Sequence, residues 1–188
     1  MKTFIVLFIF ALPIFVFGQR ISFFAEDLNF SLQKDLFEVD GLYYFRNLTD
    51  SEVKQMLFYP FPDVEKYGEI AYIHVNPEND TTEMVATQSP RGSMFKLIIP
   101  PGGEVAYRIS YGQKLISNQA MYIITTTQQW ARPFEKAIYT FTFPENLTLD
   151  SISIPPDSIK TSPEKTVYYW YKEDFMPELD FIFNFTEK

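Results

Sequence analysis

The sequence predicts an all-β protein: an antiparallel β-sandwich of many short strands with very little helix. Apolar and polar residues alternate along most of the chain, the pattern of strands with one buried face. Turn segments rich in proline and glycine separate these stretches at intervals of roughly 8–12 residues, as in sandwiches and barrels. Aromatic residues make up 18% of the chain, and they favour strands over helices. The simplest interpretation is a core rich in aromatic rings, and the functional alternative is an aromatic platform for sugars.

Seven segments carry the alternation, and each is predicted to form a half-buried strand. They are residues 37–45, 71–75, 94–99, 105–111, 137–143, 167–172 and 181–185. In the first segment Phe37 and Phe45 belong to the predicted inner face, and Gly41 indicates a bulge or a close backbone approach. In the second, Ala71 is predicted to share one face with Ile73 and Val75. Helix is scarce, and the best candidate is a single turn at residues 62–67.

The first nineteen residues have the layout of a secretory signal peptide. A short positive start precedes an apolar run over residues 4–17, and a small-residue junction follows it. The alternative is a membrane anchor, but a spanning helix needs about 20 apolar residues, and this run is shorter and contains Pro13. We therefore expect a signal peptide at residues 1–19, cleavage, and a single β-sandwich domain at 20–188. The expected location is periplasmic or extracellular, with no stable membrane insertion after cleavage.

Composition excludes several classes of function. The chain has no cysteine, so thiol nucleophiles, thiolate metal sites and disulfides are ruled out. The absence of cysteine in an exported chain favours a bacterial source over an animal one, because animal extracellular domains use disulfides heavily. The formal net charge is −8, which disfavours nucleic acid and anionic membrane surfaces as partners.

Several short motifs carry a family resemblance. The chain has an acidic-Leu start at residues 26–28, a strand end at 44–47 that closes with Asn47, a Pro-X-Pro turn at 60–62, and a Pro-Gly hairpin at 100–103. This arrangement resembles uncharacterised exported bacterial β-domains of the kind found in the Bacteroidota. It is also similar to the N-terminal β-sandwich of M1-type aminopeptidases. The resemblance implies a β-sandwich and no activity, since the peptidase zinc motif of two histidines flanking a glutamate is absent.

Catalytic candidates are few. His74 is the single histidine, and it lies in the middle of a predicted strand with no nucleophile elbow nearby. Acid–base chemistry is therefore left to carboxylates, of which Glu173, Asp174, Glu178 and Asp180 cluster near the C-terminus. Two of them could face each other across a glycosidase cleft, they could bind Ca²⁺ through oxygen, or they could form a solvated acidic loop. We expect no cofactor, and we expect the protein not to be an enzyme.

A contact surface is the more promising hypothesis. Gln129, Trp130 and Arg132 lie together in a segment predicted to be a loop. Trp and Arg are frequent at binding hot spots, and Trp stacks on sugar faces. The alternative role for Trp130 is to close the end of the sandwich. The sequence thus favours an exported, non-catalytic module with a protein partner in the envelope or outside the cell. A carbohydrate-binding module is the alternative, and a carboxylate-dependent glycoside hydrolase comes third.

Overall fold

The computed structural model describes residues 19–33, 35–80 and 82–188, so the predicted signal peptide lies outside the described residues apart from Gln19. Within those ranges the chain forms thirteen strands, one short α-helix and one 3₁₀ helix. The strands are β1 Ile21–Gln33, β2 Leu36–Asn47, β3 Val53–Pro60, β4 Glu69–Pro77, β5 Thr87–Ser89, β6 Gly92–Ile99, β7 Glu104–Lys114, β8 Gln119–Tyr122, β9 Phe134–Pro144, β10 Leu147–Ile152, β11 Ser158–Thr161, β12 Lys165–Phe175 and β13 Phe181–Glu187. The helix α1 is Val64–Tyr67, and the 3₁₀ helix is Thr125–Trp130. Neither of these described helices has the length and apolar character needed to cross a membrane.

The strands form two layers. One layer is a seven-stranded sheet, the large sheet, with the order β11-β12-β9-β1-β2-β7-β4. The other layer holds two three-stranded sheets: the first small sheet, β3-β6-β5, and the second small sheet, β10-β13-β8. The predicted all-β sandwich with little helix is confirmed. The pairings are antiparallel except between β1 and β9, which run parallel at the centre of the large sheet.

The alternating segments identified in the sequence all lie in strands. Phe37 and Phe45 of β2 are buried, as predicted, and helix α1 lies within the predicted 62–67 turn. Gly41 marks a close approach, because a Cβ there would lie 2.2 Å from Leu28 Cδ2. The prediction for Ala71 is wrong. A register shift between Ile70 and Tyr72 interrupts the alternation of β4, and Ala71 is exposed.

Phenylalanine rings fill the space between the large sheet and the second small sheet. The phenylalanine core consists of Phe30, Phe37, Phe141, Phe181 and Phe183, all of them buried. The closest pair, Phe141 and Phe183, has ring centroids 4.3 Å apart. Tilted and edge-to-face ring pairs add about 0.5–1.5 kcal/mol each beyond the area they bury. The predicted ring-rich core is therefore present, and its rings join the two layers.

Asn47 secures the turn that follows β2. Its side-chain oxygen accepts a hydrogen bond from the Thr49 amide at 2.9 Å. Its amide group donates to the carbonyl oxygens of Ser51, Ile99 and Pro100. Asn47 is buried, so these bonds satisfy the polar groups of its own side chain, which water does not reach. The side chain connects the end of a large-sheet strand to the turn between β6 and β7. These two strands lie in different sheets, so the turn at 100–103 links the two layers and does not close a hairpin.

Candidate functional site

A bulge in β1 places a carboxylic acid inside the protein. The register of β1 against β2 shifts between Phe23 and Ala25, so the alternation of faces changes by one residue there. As a result Phe23 and Glu26 both point inward, and Glu26 is only 3% exposed. Directly across the ladder, Glu26 faces Tyr43 of β2.

Four tyrosines surround this carboxyl group. The Tyr43 hydroxyl lies 2.7 Å from the Tyr59 hydroxyl and 3.0 Å from the Tyr122 hydroxyl. The Tyr139 hydroxyl donates to Glu26 Oε1 at 2.6 Å. We call Glu26 and these tyrosines the hydroxyl cluster. Tyr43 belongs to the large sheet, Tyr59 to the first small sheet and Tyr122 to the second, so the cluster marks the point where the three sheets meet.

Burial determines the protonation of the hydroxyl cluster. Desolvation raises the pKa of Glu26 to about 8, and the hydrogen bond from Tyr139 opposes that shift only in part. Burial also raises the pKa of Tyr43 well above its usual range, and the neighbouring Glu26 adds to the effect. Desolvation disfavours the charged form of an acid. The cluster is therefore uncharged at neutral pH. Glu26 is the member whose pKa lies nearest to neutral pH.

An inner cavity of about 50 Å³ opens beside the hydroxyl cluster. Its lining includes Glu26, Tyr43, Tyr59 and Tyr122 from the cluster, together with Trp130. A buried water needs about 10–15 Å³ of cavity volume. The inner cavity therefore has room for a few waters or for one small polar group.

An outer groove of about 340 Å³ lies next to the inner cavity. One wall is β3, from Gln55 to Phe58, and the other includes Thr126, Gln129 and Trp130 of the 3₁₀ helix. Five residues line both spaces: Leu57, Phe58, Pro60, Thr126 and Trp130. The groove and the cavity are therefore neighbouring spaces that share part of their lining.

The structure brings together two of the three predicted contact residues. Trp130 is half-buried, with its ring centroid 5.9 Å from Phe23 and 6.0 Å from Phe45, so it closes the interior and also lines the groove. Gln129 is exposed in the groove. Arg132 is exposed in the turn beyond, and it lines neither space. The prediction of a loop is wrong for Gln129 and Trp130, because the segment from Thr125 to Trp130 is a 3₁₀ helix.

The C-terminal carboxylates serve different local contacts. Asp180 Oδ1 accepts hydrogen bonds from the backbone amides of Ile124, at 3.0 Å, and Thr125, at 2.9 Å. Asp180 thereby fixes the start of the 3₁₀ helix that carries Trp130. Glu173 accepts a hydrogen bond from the Tyr171 hydroxyl at 2.6 Å.

The other two members of that acidic cluster, Asp174 and Glu178, are exposed. Across the described ranges, no three His, Cys, Asp or Glu side chains come together in a way that could hold a metal ion. His74 lies in β4 as predicted, exposed, with Nδ1 2.7 Å from Glu83 Oε1.

Next to the groove, the first small sheet presents an exposed apolar face. Met56, Phe58, Met94 and Ile98 are 52%, 49%, 41% and 42% exposed. Strand β3 lies at the edge of this sheet, and within the described residues no strand pairs with its outer side. An exposed edge strand with apolar side chains is a template for pairing with another chain.

The hydroxyl cluster was not identified from the sequence, although one signal pointed to it. Leu32, Phe30 and Leu28 alternate along the inner face of β1. The next position of that alternation towards the N-terminus is 26. Tyr43 continues the alternation of Phe37 and Phe45 and therefore falls on their inner face, but its contact with Tyr59 and Tyr122 depends on how three sheets assemble. Local periodicity carries no information about that assembly.

Comparisons with known proteins support the fold. No protein-family model matches the sequence, and no curated protein matches it. A protein from Legionella pneumophila named "putative nutrient binding protein" is similar with a TM-score of 0.71 at 14% identity, over 88% of this chain and 67% of that one. An M1 zinc metallopeptidase from Deinococcus radiodurans gives 0.50 at 11% identity, over 89% of this chain and 43% of that one.

These identities show a shared fold. The predicted similarity to the N-terminal β-domain of M1-type aminopeptidases is confirmed at that level. The chain spans less than half the length of the metallopeptidase chains.

Proposed function

We propose that this protein is an exported, non-catalytic β-domain that binds an extended segment of a partner protein along the outer side of β3. The observation that carries the proposal is an edge strand with no neighbour in the described part of the chain, beside a groove of about 340 Å³. The free side of an edge strand offers backbone donors and acceptors to an added strand. The groove leaves room for that strand between β3 and the 3₁₀ helix.

The side chains around β3 give such a partner two surfaces to recognise. Successive side chains of an added strand point to opposite faces of the sheet. One set would extend the exposed apolar face of Met56 and Phe58. The other set would point inward, past Leu57 and towards Trp130. Main-chain pairing supplies affinity in this mode of recognition, and the pockets for alternate side chains supply specificity.

The chemistry of the described residues supports binding rather than catalysis. The one histidine is exposed and paired with Glu83, and Asp180 is used to hold the 3₁₀ helix. The export part of the proposal rests on the signal-like residues at the start of the chain.

Two experiments test the proposal: photo-crosslinking in cells and hydrogen exchange on the purified complex. A photo-crosslinking amino acid placed at Gln55 of β3 should capture the partner in cells, whereas the same group at Ile159 on edge strand β11 should not. With the purified partner bound, the β3 backbone amides that point away from β6 should exchange at least about tenfold more slowly, because strand addition gives them new hydrogen bonds. The amides of β11 should not change. Bound partner without slower exchange in β3 would overturn the proposal.

A carbohydrate ligand is the second candidate. The observation that favours it is an exposed ring, Phe58, in a groove that also presents the amides of Gln55 and Gln129. Retention of the intact protein on a polysaccharide column, lost in Gln129→Ala, would favour this candidate over strand addition.

A further inference from the structure

We infer that the inner cavity is a binding site for a primary ammonium group, delivered by a lysine side chain of the segment that docks along β3. The assignment of this group to a lysine of the docking segment rests on the proposed function. The ammonium site itself rests on the cavity.

The buried carboxyl group is the first argument. Glu26 lines the inner cavity, and within the described residues its one hydrogen-bond partner is Tyr139, which contacts Oε1. Burial holds Glu26 in its protonated form at neutral pH, because a buried carboxylate is costly unless it is paired and hydrogen-bonded. A cation in the cavity would supply the missing partner, and an ammonium group brings three donors. One donor would reach Glu26, and two of the phenol oxygens of Tyr43, Tyr59 and Tyr122 would accept the other two.

The aromatic lining is the second argument. Seven of the residues that line the inner cavity carry aromatic rings: Phe23, Tyr43, Phe45, Phe58, Tyr59, Tyr122 and Trp130. Ring faces attract a cation that lies within about 6 Å of the centroid, and the attraction grows when the cation is desolvated. A carboxyl group set among rings favours a cation over an anion or an uncharged group.

The size of the cavity is the third argument. A volume of about 50 Å³ is far below the roughly 300–1,000 Å³ of sites that enclose a whole small molecule. The inner cavity therefore accepts a terminal group whose stem remains outside. A flexible four-carbon lysine stem suits this arrangement, because the outer groove adjoins the cavity at Leu57, Phe58 and Trp130. A planar guanidinium or a quaternary ammonium group is larger than a primary ammonium group and fits less well.

A titration with n-butylammonium chloride tests the ammonium site without the partner. At pH 9 Glu26 lies above its pKa of about 8, while the alkylammonium, with a pKa of about 10.4 like that of lysine, is still charged. The amide resonances of Glu26 and Tyr43 should shift and saturate. Uncharged n-butanol and bulky tetramethylammonium should produce no saturating shift.

Two variants make the test specific. Glu26→Gln keeps the size of the side chain and removes its charge, and it should weaken n-butylammonium binding at least about tenfold. Glu173→Gln removes an exposed carboxyl elsewhere and should leave binding unchanged. Equal binding of n-butanol, or equal binding by a folded Glu26→Gln variant, would overturn the ammonium site.

The two proposals can fail separately. Binding of n-butylammonium without protection of β3 by a protein partner would keep the ammonium site and overturn the lysine carrier. Protection of β3 that is equally strong in Glu26→Gln would keep strand addition and overturn the ammonium site.

Discussion

Two regions of the interior are built from different side chains. Between the large sheet and the second small sheet, the phenylalanine core packs rings against rings. Where the three sheets meet, the hydroxyl cluster places a carboxyl group and four phenols in an equally buried setting. Both regions lie on the inner face of β1, with Phe30 in one and Glu26 in the other, only four residues apart.

The difference shows how one sandwich combines stability with a recognition surface. Apolar burial contributes roughly in proportion to the area removed from water, so the phenylalanine core stabilises the fold. A buried polar cluster stabilises the fold less than apolar side chains in the same place would. Its hydrogen bonds instead hold specific groups in fixed positions. Here the polar region also adjoins the inner cavity, the outer groove and the free edge of β3. The less stabilising region is therefore the one next to the surface that we propose for binding.

The largest effect should come from breaking the phenylalanine core. Phe183 is fully buried and its ring lies 4.3 Å from that of Phe141 and 5.7 Å from that of Phe30. Phe183→Ala should lower the free energy of unfolding by about 4 kcal/mol, because it removes buried area and leaves a cavity. Urea denaturation measures the loss. As a control, Phe58→Ala, at a half-exposed ring, should change stability by less than about 1 kcal/mol, and a similar loss in both variants would contradict the comparison.

A pH effect of intermediate size should arise from the hydroxyl cluster. The folded pKa of Glu26 is about 8, raised from 4.5 by burial. Between these values the folded protein holds a proton that the unfolded chain has lost, so stability falls as pH rises. From pH 5 to pH 8 the loss from this group should be about 3.5 kcal/mol. Urea denaturation across this range measures it.

Glu26→Gln is the matched control for this slope. The amide does not ionise, so the variant should lose the Glu26 part of the pH dependence while its stability at pH 5 stays close to the starting value. The phenols that face Glu26, on Tyr43, Tyr59, Tyr122 and Tyr139, have pKa values raised above their usual range, and they do not titrate in this window. An identical slope in both proteins would mean that Glu26 is ionised in the fold.

The phenylalanine core could be predicted from sequence because its signal is local. A period of two is set by the geometry of a single strand, and it identified the buried rings of β2, β9 and β13 without knowledge of their partners. The same rule fails where a bulge interrupts a strand. In β1 the extra residue at the Phe24 position reverses the alternation, so counting forward from Phe23 assigns Glu26 to the wrong face.

The candidate site was harder to predict, because it depends on contacts between distant strands. Composition pointed to Trp130, and the structure places it at the boundary of the groove and the cavity. Nothing local indicated that β3 would be an edge strand, or that the segment at Thr125 would be a 3₁₀ helix. That helix is held by Asp180, which is 55 residues further along the chain, and a carboxylate in an acidic run gives no sign of such a partner.

The smallest effects should come from removing single hydroxyl groups, and Tyr43→Phe tests whether the hydroxyl cluster acts as one connected unit. This change removes the hydroxyl that joins Tyr59 to Tyr122 and leaves both phenols without it, so unfolding free energy should fall by about 1–2 kcal/mol. The loss should stay modest because the inner cavity has room for water to replace the missing group. Tyr59→Phe removes one of the two contacts and should cost less, about 1 kcal/mol or below. Urea denaturation of both variants gives the ranking, and a larger loss from Tyr59→Phe would show that Tyr43 is not the connecting member.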